Sequence, residues 1–165
     1  MNPTSPLTKE APEALGAGVH GQVPPTPLGL RQQALETALT KWKDDRRRRV
    51  AAKAVVMVLG DWKLSAANKL RLLGLSRSSR GQLSGYASGE TPLRPTEDAW
   101  RRASGLIAID RNLRVFAPRN PEWRNAWVHS SVRGLDGERP IEIMLIDGIG
   151  GIDRIRRYTA SMIHR

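Results

Sequence analysis

The chain has 165 residues and a formal net charge of +11, a length that suits one ordinary domain or two small ones sharing a core. With 39% apolar and 5% aromatic residues, a core can form but part of the chain is expected to stay out of it. The absence of cysteine excludes disulfides, thiolate metal sites and a cysteine nucleophile.

Residues 1–28 hold six of the eleven prolines and few large apolar side chains. They read as a disordered arm, because they bury too little surface to offset the entropy of ordering. The N-terminus lacks the basic and apolar regions of a signal peptide. The longest apolar run, Ala54–Leu59, is far below the roughly 18–20 residues that span a bilayer. A soluble, cytoplasmic protein without membrane contact is the expectation.

From about Leu30 the spacing of Leu30, Ala34, Leu35 and Ala38 predicts a helix. The charge then changes abruptly. Residues 1–40 carry two basic and three acidic side chains, whereas residues 41–80 carry twelve and three. Nearly all of the excess sits in this one block, as a surface that contacts phosphates requires. Within it Arg46, Arg47, Arg48 and Arg49 precede Ala51, Val55, Val58 and Trp62, whose 4-3-4 spacing makes one helical stripe. The arginines at the start of that stripe fit either phosphate contact or a solvated helix face.

Ser65 is a good N-cap for a short helix to about Leu73, with Ala66, Leu70 and Leu73 inward. Gly74 stops it in the left-handed region, and Ser76 or Ser78 can cap a second helix through about Tyr86. Helix, glycine turn and capped second helix is the layout of a helix-turn-helix. The second helix carries Arg77, Ser78, Ser79, Arg80, Gln82 and Ser84, side chains that hydrogen-bond base edges and phosphates, with Leu83 as an inward anchor. Two short packed helices without DNA contact would show the same pattern.

Ser88–Pro95 reads as a turn. The helix that starts near Pro95–Glu97 is expected to place Trp100, Ala103, Ile107 and Leu113 inward. Asn120, Pro121 and Glu122 make an N-cap, an N1 proline and a dipole-matched first turn. Trp123 and Trp127 follow at i, i+4; both read first as core residues, with Trp127 also a candidate interface anchor. Gly134–Gly137 is expected to close that helix. Pro140 opens either a short helix or a strand through Ile141–Leu145. The glycines at 148, 150 and 151 precede a final helix with Ile152, Ile155 and Ile163 inward and Arg154, Arg156 and Arg157 around it.

Catalytic chemistry finds little support. The Gly148–Gly151 turn has no P-loop lysine and the wrong spacing for a dinucleotide fingerprint. His129, Ser130 and Ser131 point about 100° apart on a helix and make a poor nucleophile–base pair. His20, His129 and His164 share no metal-ligand spacing. No enzyme activity, metal or cofactor is expected.

From Trp62 onward the chain resembles the Xre/MbcA/ParS family of antitoxins. The stretch Trp62-Lys-Leu-Ser-Ala-Ala-Asn-Lys-Leu-Arg-Leu-Leu-Gly-Leu-Ser76 is similar to the start of that family's helix-turn-helix. Arg102–Phe116 follows, then Asn120-Pro-Glu-Trp-Arg-Asn-Ala-Trp127, Gly137–Pro140 and the glycine turn before Ile152–Tyr158. This last block resembles the family's C-terminal toxin-binding domain.

The resemblance implies an all-α protein. Residues 1–28 would be the arm, 29–116 an Xre-like helix-turn-helix DNA-binding domain and 117–165 a small helical toxin-binding domain. It implies the antitoxin of a type II toxin–antitoxin pair, a homodimer whose partners are operator DNA and a RES-domain toxin that consumes NAD+ or uses it for ADP-ribosyl transfer. The antitoxin would cover the toxin's active site with Trp127, Arg154, Arg156, Arg157, Tyr158, His164 and Arg165, and repress its own operon. A free-standing helix-turn-helix repressor without a toxin is the alternative.

Overall fold

The computed structural model describes residues 43–164. The proline-rich arm, the helix expected from Leu30 and the toxin contact assigned to Arg165 lie outside the described residues. Those described form seven α-helices and two short 3-10 turns, with no strand, in agreement with the all-α expectation. Among them no helix is long and apolar enough to cross a membrane.

Helix α1, Asp45–Asp61, starts where the Asp44 carboxylate accepts from the Arg47 backbone N–H at 2.8 Å, and Asp45 matches the positive helix end. Its expected stripe is the buried one: Ala51, Val55 and Val58 face inward, and Trp62 completes them just past the last turn. Ser65 caps α2, Ala66–Leu72, by accepting from Asn68 N–H at 3.2 Å. Leu70, Leu72 and Leu73 are buried, but Ala66, expected inward, is exposed. Only the C-terminal half of this seven-residue helix reaches the core. Gly74, at φ +66°, turns the chain so that Leu75 returns to the interior.

The second helix of the pair arrives in two pieces, a 3-10 turn at Arg77–Ser79 and α3 at Arg80–Ser88. Neither Ser76 nor Ser78 caps it through its side chain, because the Ser76 hydroxyl is taken up by Ser78 at 2.9 Å and Ser79 at 2.8 Å. Tyr86 is buried and Leu83 packs against the core. Burial pushes the Tyr86 hydroxyl above its ordinary range, against the pull of the Arg94 and Arg48 guanidinium groups.

Helix α4, Glu97–Phe116, is capped by Thr96 and packs against α1 on one side and the last helix on the other. Because two helices flank it, its buried arc centres on Ala103, Leu106, Asp110 and Leu113. Trp100 and Ile107, expected inward, fall at the edge of that arc and are half-buried. Gly105 lets the last helix approach closely: a Cβ there would stand 2.6 Å from Ile152 Cγ2.

Helix α5, Pro121–Trp127, has the predicted start, with Asn120 accepting from Trp123 N–H at 2.9 Å and Pro121 in the first turn. It ends at Trp127, well before Gly134–Gly137. Those residues instead shape a 3-10 turn, Arg133–Leu135, followed by Asp136 and Gly137 at positive φ. Pro140–Asp147 is helix α6, not a strand, and buries Pro140, Ile141, Ile143 and Met144. Gly148 alone, at φ 59° and ψ −125°, joins it to α7, Ile149–Ile163. Ile152 and Ile155 are buried as expected, while Ile163 in the last turn is half-buried.

Candidate functional site

The turn between α2 and α3 is held from behind. Arg94 donates to the Gly74 carbonyl, and Arg102 reaches the Leu72 carbonyl at 3.4 Å while paired with Asp98 at 2.8 Å. Both guanidiniums satisfy carbonyls that the end of α2 leaves without a helical partner. On the outer side Arg77, Ser78, Arg80, Gln82 and Ser84 are exposed and Ser79 is half-buried. The six residues therefore share one short segment, with Ser78 and Ser79 drawn together by Ser76.

The arginine run divides. Arg46 and Arg47 are exposed. Arg48, whose side chain is 11% exposed, donates to the Leu93 carbonyl at 2.6 Å and to Asp45 at 2.9 Å. Arg49 pairs with Asp45 at 2.9 Å and donates to the Glu90 carbonyl. Two of the four arginines thus bind the α3–α4 connection to α1.

The candidate toxin contacts also separate into groups. Trp127, 6% exposed, is part of the core and stacks on Tyr158 with ring centroids 6.3 Å apart. Gly134 fits against the Tyr158 ring, where a side chain would collide. Arg154 turns to the same loop, pairing with Glu138 at 3.2 Å and Asp136 at 3.9 Å. Arg156 and Arg157 are exposed on another side of α7, both near Asp153, and His164 is exposed at the helix end. Among the described residues no three His, Cys, Asp or Glu side chains gather as a metal site would need.

Several polar anchors carried no sequence signal. Arg124, nearly buried, donates to the Ala117 and Pro118 carbonyls at 3.1 and 3.0 Å. His129 is exposed, as expected, but its Nε2 lies 2.7 Å from the Trp62 carbonyl and ties the end of α5 to the end of α1. Asn112, nearly buried on α4, meets the Thr159 hydroxyl of α7 at 3.1 Å. Asp110 holds Arg114 at 2.6 Å and raises its guanidinium above the ordinary range.

Residues 113–162, from the last turn of α4 through α7, match the antitoxin Xre/MbcA/ParS C-terminal toxin-binding domain. No curated protein and no solved structure matches the chain. That match covers the C-terminal third of the chain.

Proposed function

We propose that the chain is the antitoxin of a type II pair, acting in the cytoplasm on a RES-domain toxin that consumes NAD+ or transfers its ADP-ribosyl group. The observation that carries this reading is the match of residues 113–162 to that family's toxin-binding domain. The antitoxin performs no reaction. It covers the toxin's active site with α7 and the residue after it, where Arg156, Arg157 and His164 are exposed and Trp127 supports Tyr158 from beneath. Guanidinium groups pair two-pronged with carboxylates, so Arg156 and Arg157 suit acidic side chains around the entrance to the toxin's site.

In the same proposal residues 29–116 bind operator DNA. The segment Arg77–Ser84 enters the major groove, where Arg77 and Arg80 suit guanine and Gln82 suits adenine. Arg46 and Arg47 reach phosphates. A homodimer presents two such segments to a palindromic operator and represses the operon.

The test is the double variant R77A/R80A. Each arginine is worth about 1–3 kcal/mol of operator affinity, so gel-shift binding should be lost. Both side chains are exposed, so the melting profile and toxin neutralisation in cells should persist. Loss of neutralisation in a variant that melts normally would show that the two functions are not divided this way.

A further inference from the structure

The outward face of α4 forms the floor of a trough between α1 and α7. Trp100, Ser104, Ile107 and Ala108 are its half-buried floor. Val50, Ala51 and Ala54 of α1 make one wall, and Val50 is 65% exposed. The trough comprises three clefts of about 640, 240 and 480 Å³ that share lining residues in succession. From Trp100 to Arg111 the floor runs about 16 Å at 1.5 Å per residue, the length of three helical turns.

Its rim is basic. Arg46 and Arg47 stand at the α1 end, and Arg101, Arg111 and Arg156 at the α7 side. The two carboxylates among the described lining residues are already engaged: Asp153 is shared between Arg101 at 2.9 Å and Arg156 at 3.6 Å, and Asp44 lies 3.9 Å from Arg47. Among the described residues Arg111 has no carboxylate within ion-pair distance.

We infer that this trough receives an amphipathic helical segment of the toxin, its apolar stripe on Trp100 and Ile107 and its acidic flanks on Arg101, Arg111 and Arg156. The inference rests on the antitoxin reading and adds where, and by what chemistry, the partner docks. An apolar floor of this length inside a charged rim suits a helix laid into a groove, and small residues at 104 and 108 let its backbone approach.

Charge complementarity selects the occupant. A second copy of this chain would bring the same basic rim and a net charge of +11. The chain's own residues 30–42 carry Arg31 and Lys41 against Glu36 and supply no acidic excess. Duplex DNA has the negative charge but no apolar stripe to cover Trp100, Ile107 and Val50.

The chain lacks cysteine, so single thiols report on the trough. S104C and A108C place them on its floor, and A87C, on the exposed side of α3, is the control. In full-length protein co-expressed with its toxin, alkylation at S104C and A108C should slow at least tenfold while A87C is unchanged. R111E/R156E should weaken the complex at low salt at least tenfold. Unchanged alkylation in a complex that still forms would overturn the trough assignment and leave the antitoxin reading standing. Absence of any complex with the wild-type chain would overturn both. Protection in the free chain that depends on its concentration, or is relieved by removing residues 1–42, would assign the trough to a second copy or to the chain's own segment. Protection by operator duplex alone would assign it to DNA. A wild-type affinity in R111E/R156E would overturn the acidic character of the partner.

Discussion

Arg46, Arg47, Arg48 and Arg49 are alike in sequence and unlike in place. Successive helical side chains point about 100° apart, so one run of four faces both solvent and the α3–α4 connection. Arg48 and Arg49 satisfy the carbonyls of Leu93 and Glu90, and charge-assisted bonds of this kind are worth roughly 1.5–3 kcal/mol. Arg48→Ala should therefore lower the unfolding free energy by about 1–3 kcal/mol in denaturant melts and leave the salt dependence of DNA binding alone. Arg46→Ala and Arg47→Ala should do the reverse, each reducing the salt slope by about 1 with little change in stability. The sequence could place the charge but not divide it, because the division depends on carbonyls from a loop some forty residues away. His129 and Arg124 were hidden for the same reason: their partners are backbone oxygens, which no side-chain spacing reveals.

Helix ends were the most legible elements, because caps are local chemistry. Ser65, Gly74 and the Asn120–Pro121 start are where the sequence puts them. Registers decided by neighbours were not. The stripe on α4 is centred on Ala103 and Leu106, since both α1 and α7 press on it, and this leaves Trp100 and Ile107 at the edge. That edge runs Trp100, Ser104, Ile107, Ala108 and Arg111 at helical spacing, a pattern visible in the sequence once the second flanking helix is known. Ile141, Ile143 and Leu145 alternate as a strand would, but Pro140 fixes the backbone of a first helical turn, and the helix also buries Met144 between them.

The α6–α7 hairpin depends on one glycine more than its neighbour. A Cβ on Gly151 would collide with the Ile143 carbonyl and stand 2.9 Å from Met144 Cα, whereas one on Gly150 meets nothing within 4 Å. Gly151→Ala should cost about 1–3 kcal/mol because backbone cannot step aside. Gly150→Ala should be neutral or stabilise by up to about 1 kcal/mol. Thermal melts of the two variants test this, and equal shifts would contradict the packing described.

At the scale of the molecule one apolar cluster runs from Ala51 to Ile155. It joins the helix pair proposed for DNA to residues 113–162, which match the family's toxin-binding domain, through α4, whose last turn already belongs to that match. The His129–Trp62 contact adds a second link. The order and spacing of the motifs carried the resemblance whose C-terminal part residues 113–162 match; the trough is visible only with three helices around it. The most direct measurement is to recover the tagged full-length chain from its native cells and identify what co-purifies. A protein in near-equal amount that drains NAD+ when expressed alone, and ceases to when this chain is supplied, is the predicted result. Recovery of promoter DNA with no protein partner would contradict it and make the chain a free-standing repressor.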